Sequence, residues 1–291
     1  MHEEISNLQI VKQFRKGKVR DIYDLGSTLL IVTTDRISAF DVVFPDVIPD
    51  KGMILNAISV HFFSATKDII PNHFITDKVS EYPKELHPYA DYLTGRSMLV
   101  QKTRVIPFEC IVRGYISGSA WNEYSRTSTI GGMLIAEDMQ ESQKFSQPLF
   151  TPSTKVEGGH DENISYRELM SRMDESLAVQ LKNKSVELYS QAHDLLLKKN
   201  IILADTKFEF GSIGNQLLLI DEVLTPDSSR FWALEDYEIG KNPNSFDKQY
   251  IRDFVSSIGW DKNPPAPNLP EEVIAKTREK YMAIYNIIKE I

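Results

Sequence analysis

The chain has 291 residues, 42% hydrophobic and 25% charged, ordinary globular proportions that allow one large or two modest domains. Its formal net charge of −8 excludes a general nucleic-acid binder, which needs a basic surface, but leaves room for the few cations a small anionic substrate requires. The single cysteine, Cys110, excludes an internal disulfide or a Cys-based zinc site, and lies in the apolar run Val105–Val112 as an expected buried, inert thiol.

In chain order, MHEEISNLQI is acidic and lacks an apolar signal core, and no stretch approaches membrane-spanning length. A cytoplasmic protein with no membrane partner is expected. Leu29–Asp35 and Ser97–Tyr115 read as strands, being β-branched or apolar runs bounded by turn residues. Between them, Ile54, Ile58, Phe62 and Ala65 fall on one helix face, and Pro71 stops the run. Residues 122–163 are polar, with Pro148 and Pro152, and read as a long functional loop region. Ser165 and Glu168 form a capping box opening one helix. A second helix carries Ala178, Leu181, Leu188, Ala192 and Leu195 on one stripe and ends near Asn200. Two apolar strands around a Gly-containing turn follow in residues 201–230. After the connector Asn263–Pro270, a final amphipathic helix faces Val273, Tyr281, Ile284 and Ile288 inward. A mixed α+β enzyme in two lobes is expected, 1–108 as an N-terminal antiparallel lobe and 109–291 as a larger α+β lobe.

The hairpin of residues 201–230 carries the most chemistry. Strand alternation puts Asp205, Lys207 and Glu209 on one face and Phe208 and Phe210 on the other. One register sets Glu209 opposite Asp221, a carboxylate pair suited to Mg2+, with Lys207 and Arg230 near enough to hold phosphates. A salt-bridged edge hairpin is the competing reading. Glu109 and Arg113 interrupt an otherwise buried strand, so they pair with each other or meet a charged ligand. Gly114, Gly118 and Ser119 add amides and a hydroxyl, making Arg113 and Ser119 a candidate phosphate clamp. Lys18 and Arg20 sit beside Gly17 as a candidate phosphate-covering hairpin, with a solvated basic hairpin as the alternative. Residues 33–52 crowd Asp35, Arg36, Ser38 and Asp41 into a polar loop next to a strand end. His160 and Asp161 lie in a polar, glycine-bearing loop, where exposed chain is the plainer reading. No Walker A loop, GxGxxG, HExxH or GxSxG occurs.

Six segments taken in order, GKVRDIYD, TTDRISAFD, ECIVRGYISGSAW, TPSTKVEGGHDENIS, ADTKFEFG and IDEVLTPDSSR, resemble the SAICAR synthetase family of purine biosynthesis over about residues 15–255. The resemblance implies a SAICAR synthase-like, ATP-grasp-related fold of two lobes with ATP in the cleft between. It implies an ATP-dependent ligase joining L-aspartate to carboxyaminoimidazole ribotide through an acyl phosphate, with ATP as co-substrate, Mg2+ as cofactor, small-molecule substrates as partners, and neither nucleic acid nor membrane. Carried over position by position, Lys18 and Arg20 would contact ATP phosphates, the Val105 backbone would lie near the adenine, and Glu209 and Asp221 would hold Mg2+ with Lys207 alongside. Arg113, Ser119 and Arg230 would bind the ribotide phosphate. Glu109 and Asp161 would face the imidazole carboxylate, through a second Mg2+. Asp41 and Lys155 are placed at the aspartate end, and Lys248 matches a further family segment. A different ATP-using enzyme would share the nucleotide groups without the clamp, and an inert scaffold would lack Lys207, Glu209 or Asp221.

Overall fold

The computed structural model describes residues 2–155 and 162–291. Two compact units divide the chain: Met1–Ala65, Asn72–Arg104 and Asp247–Lys289 form the first, and Thr66–Pro71, Val105–Phe246 and Glu290–Ile291 the second.

The first unit opens with α1 (His2–Ser6), whose Ile5 is fully buried. Strands β1 (Gln13–Lys16), β2 (Arg20–Asp24) and β3 (Thr28–Thr33) then form a meander. A separate hairpin follows, β4 (Arg36–Ala39) and β5 (Val42–Val47). Its two-residue turn is Phe40–Asp41, with φ of 51° and 65°. Positive φ at both central residues matches the twist of the flanking strands but strains residues other than glycine. Helix α2 (Lys51–Ala65) ends before Pro71, as its apolar spacing predicts. Strand β6 (Phe74–Thr76), helix α3 (Ala90–Leu93) and β7 (Ser97–Gln101) complete a sheet that is five-stranded among the described residues, in the order β1-β2-β3-β7-β6 and antiparallel at every pairing. Tyr23, Leu30, Val32, Leu86 and Leu93 form its core.

The second unit is built on β8 (Arg104–Tyr115). It continues through α4 (Gly118–Thr127), β9 (Thr129–Ile130), β10 (Met133–Leu134), β11 (Lys144–Phe150) and β12 (Ser153–Thr154). The expected loop region of 122–163 is therefore largely structured. β11 is polar and contains Pro148, so only its pairing with β8, across an irregularity between Lys144 and Leu149, makes it a strand. Helix α5 (Tyr166–Arg172) is capped by Ser165 Oγ, which accepts from the Glu168 amide at 3.1 Å. In α6 (Glu175–Leu197) the buried stripe runs through Ala178, Leu181, Leu188 and Ala192 to Leu196 rather than Leu195. β13 (Ile201–Ile213) pairs with β14 (Gln216–Ile220) and β15 (Ser229–Ala233), and next to β8 it forms the middle of a sheet of six strands among the described residues. Phe208 and Phe210 are fully buried, each burial contributing about 1.5–3 kcal/mol. The Tyr189 hydroxyl of α6 donates to Leu203 O at 2.7 Å, fixing that helix to β13.

Helices α7 (Gln249–Ser257) and α8 (Glu271–Ile288) return to the first unit. The expected second lobe of 109–291 thus differs from the structure: Ile251, Val255, Leu269 and Val273 pack with Ile37, Ala39, Phe44 and Ile48. Burying the apolar stripe of α8 decides this, and its partner is some 230 residues away in sequence, beyond the reach of local pattern. The inward residues Val273, Tyr281, Ile284 and Ile288 are buried as their spacing predicts.

Candidate active site

The second unit displays charge on one face of its sheet. Alternation along β13 directs Asp205, Lys207 and Glu209 away from Phe208 and Phe210, and alternation along β8 does the same for Glu109 and Arg113. Cys110 between them faces the other way and is fully buried, and burial pushes its thiol up to about 12. It is an inert thiol, as its position in the sequence implies.

At one end of this face Lys207 forms an ion pair with Glu109 and lies 3.8 Å from Glu209. Lys155 pairs with Glu209, and Ser153 Oγ donates to Glu109 at 3.3 Å from β12. Burial alone would lower the Lys207 pKa, but Glu109 and Glu209 outweigh it and raise the value. The Glu209 carboxyl is also raised, first by burial and then by the neighbouring Asp221 charge, against Lys207 and Lys155. The register differs from expectation by one residue: Glu209 faces Ile220, and Asp221 follows the strand end with φ of 69°. The two-residue turn between Ile213 and Gln216 sets that register, and the left-handed backbone at Asp221 ends the alternation so that its charge still acts on Glu209.

Among the described residues no three His, Cys, Asp or Glu side chains are gathered as a metal cage. The Glu209–Asp221 pair nonetheless suits Mg2+, which takes one or two carboxylates and completes its shell with water and substrate phosphates. Asp161, expected beside Glu109, lies outside the described residues, as does His160.

At the other end, Arg113 is 4% exposed and bonds Thr151 Oγ1 at 3.0 Å, Asp205 at 3.2 Å and Ser119 Oγ at 3.4 Å. Arg230, opposite Asp205 in the β13–β15 register, pairs with the same carboxylate. Gly118 admits Arg230, since a Cβ there would stand 2.3 Å from a guanidinium nitrogen. Two guanidiniums sharing one carboxylate leave a net positive, fork-shaped donor set, suited to a phosphate. The structure therefore brings Arg113, Ser119 and Arg230 together as anticipated. Glu109 and Arg113 do not pair with each other but with Lys207 and Asp205. Sequence reasoning missed Asp205 as the hub of the clamp, and missed Thr151 and Ser153. Only the alternation of Asp205 with Lys207 and Glu209 hinted at the first.

The remaining expected residues lie elsewhere. Val105, 50% exposed, is the second residue of β8 and opens the Val105–Phe246 segment of the second unit. In the first unit, Lys18 sits in the β1–β2 turn and pairs with Asp41, both side chains about half exposed. Arg20 begins β2, and Lys248 precedes α7, where it is 9% exposed.

Comparison with known proteins adds an independent line. The family described as SAICAR synthetase matches residues 13–267. The phosphoribosylaminoimidazole-succinocarboxamide synthase of Thermodesulfovibrio yellowstonii is 52% identical over 283 residues, 97% of each chain. That of Maridesulfovibrio salexigens is 50% identical over 291 residues, covering 99% of this chain and 97% of its own. Among solved structures, the Saccharomyces cerevisiae SAICAR-synthase complexed with SAICAR superimposes with a TM-score of 0.88 at 40% identity, over 97% of this chain and 96% of that one. A type-2 SAICAR synthetase in complex with ADP, 23% identical with a TM-score of 0.68, covers 96% of this chain and 98% of its own and shares the fold. With the profile, the relatives and the fold in agreement, the chain belongs to the SAICAR synthetase family of ATP-dependent ligases, which join L-aspartate to carboxyaminoimidazole ribotide in purine biosynthesis.

Proposed function

We propose that the charged face of the second sheet is where the ribotide carboxylate is activated and amidated. The observation that carries this reading is a carboxylate–lysine cluster along β8 and β13 beside a clamp on the same strands that Arg230 of β15 makes net positive. Glu109 and Arg113 are four residues apart on β8, about 13 Å along the strand. A ribotide would set its phosphate on the clamp, while its carboxylate would meet the negative cluster through Mg2+ held there.

In this reading Arg113, Ser119 and Arg230 bind the 5′-phosphate, with Asp205 and Thr151 orienting the guanidiniums. Glu109 and Asp161 face the imidazole carboxylate. Glu209 and Asp221 would hold Mg2+, which would offset the charge repulsion between nucleotide and substrate anions. Lys207, kept charged by Glu109 and Glu209, stands ready to stabilise negative charge as the terminal phosphoryl group moves. Lys18 and Arg20 bind ATP phosphates, and the Val105 backbone meets the adenine. Asp41, Lys155 and Lys248 serve the substrate side. Lys155 on Glu209 and Lys18 on Asp41 supply the counter-charges of those two carboxylates.

A carboxylate oxygen accepts the phosphoryl group and ADP leaves. The aspartate amine then adds to the acyl carbon, loses a proton and expels inorganic phosphate, giving the amide. Reducing-compartment cysteine usage and the purine pathway support a cytoplasmic enzyme, and no helix among the described residues is long and apolar enough to cross a membrane.

The test is ADP release by the purified protein with Mg-ATP and the carboxylated ribotide, with and without L-aspartate. Release that requires all substrates, with an amide product, is expected. ADP release indifferent to aspartate would replace the ligase reading with a kinase-like one, and no release would return the cluster to a structural salt-bridge network.

A further inference from the structure

The turn between β1 and β2 is held by three consecutive carbonyls. Gly17 O accepts from Arg36 Nη2 at 3.0 Å, and Lys18 O from Arg36 Nε at 3.1 Å. Val19 O accepts from the Thr34 amide at 2.9 Å and from Thr34 Oγ1 at 2.8 Å. The same Arg36 guanidinium forks onto Asp21, at 2.7 and 3.3 Å. Asp21 is 1% exposed, so the guanidinium is anchored on a buried carboxylate rather than swinging in solvent. In a trans peptide the N–H lies opposite its own C=O. Tying these carbonyls from the Thr34–Arg36 side turns the amide hydrogens of Lys18, Val19 and Arg20 to the opposite side. Successive amides facing one way, flanked by two cationic side chains, make an anion-binding concavity.

We infer that Arg36 is a positioning residue for the nucleotide phosphates: from its anchor on Asp21 it fixes the Gly17 and Lys18 carbonyls, and thereby aims the turn's amides and the Lys18 side chain. Thr34 does the same for Val19 with less reach. Arg36 begins β4 in the charged segment of residues 33–52, which reads as a polar loop but folds as the β4–β5 hairpin, and of which the proposed reaction otherwise uses Asp41. The inference rests on reading Lys18 and Arg20 as contacts of the ATP phosphates.

The experiment is calorimetric titration of Mg-ADP, and separately of the carboxylated ribotide, into the wild type, Arg36→Lys, Lys18→Met and the double variant, with melting temperatures. Lysine keeps a cation against Asp21 but lacks the planar fork that reaches two carbonyls. Arg36→Lys is expected to weaken Mg-ADP about tenfold, the factor that accompanies loss of one charge-assisted hydrogen bond, while ribotide affinity and melting temperature stay near the wild type. In the Lys18→Met background the Arg36 effect should shrink, because the aimed cation is gone. Thr34→Val, a gentler change in the same set of bonds, should weaken Mg-ADP in the same direction by about threefold. Equal weakening of both ligands would make Arg36 merely structural and overturn the inference. Unchanged Mg-ADP affinity in Arg36→Lys beside a weakened Lys18→Met also overturns it, and leaves the underlying reading standing. Unchanged affinity in both variants overturns that reading itself.

Discussion

The two ends of the charged face use the same strands to opposite effect. At Arg113, Asp205 and Arg230, two cations surround one carboxylate. Around Lys207 and Lys155, two cations meet the carboxylates Glu109 and Glu209, with the Asp221 charge close enough to act on both Lys207 and Glu209. The first end has a surplus of positive charge and the second a surplus of negative charge. A shift of four residues along β8 and of two to four along β13 converts an anion site into a cation site. The alternation of strands keeps all of these groups on one face, and the fully buried Phe208 and Phe210 hold the other face in the core. The positive end meets a phosphate directly, whereas the negative end suits a cation, so an anionic carboxylate would reach it only through a bound Mg2+.

The sharpest way to break this contrast is at the negative end. Glu209→Gln keeps volume and removes one carboxylate of the proposed metal pair, so kcat should fall by at least about 100-fold while the fold is retained. Its stability is predicted with a definite sign. The folded-state carboxyl lies above the ordinary 4.5, so it favours folding where it is protonated, below that value, and this contribution is lost as pH rises through the raised pKa. The variant lacks that loss, and its melting temperature at pH 7 should equal or exceed the wild type, with the difference closing toward pH 4. A clear drop at pH 7 would mean that the pairs with Lys155 and Lys207 outweigh the cost of burying the charge.

At the positive end, Arg230→Ala should raise the ribotide KM roughly 10- to 100-fold, the range for one lost hydrogen bond to a charged group, and spare the KM for ATP. An unchanged ribotide KM would remove Arg230 from the clamp. The smallest expected effect lies on the reverse side of β8. A Cβ at Gly114 would stand 1.8 Å from the Tyr189 hydroxyl, so Gly114→Ala should cost about 1–3 kcal/mol of stability in chemical unfolding. Because that face carries none of the charged groups, the folded fraction should keep wild-type KM values. Altered ligand affinity would show that the two faces are mechanically coupled.

Much of the site is legible in the amino-acid sequence. Period-two alternation separates Asp205, Lys207 and Glu209 from Phe208 and Phe210, and charge inside the apolar run of β8 marks Glu109 and Arg113. Partnership is what local pattern does not carry. Glu109 and Arg113 are on one strand and suggest each other, but strand pairing delivers Lys207 to one and Asp205 to the other. Likewise, β11 reads as loop because its residues are polar, and only β8 beside it supplies the ladder that makes it a strand.

By itself the sequence determined the family, through six ordered segments, and the faces of its strands and helices, through local periodicity that needs no distant partner. Tertiary structure decided the rest. It placed α7 and α8 with the first unit, because their apolar stripes needed a core that residues 37–48 provide. It set Glu209 against Ile220 rather than Asp221, because a two-residue turn leaves one register. It made Asp205 the shared carboxylate of two arginines, because a buried guanidinium must find its counter-charge wherever the sheet brings one.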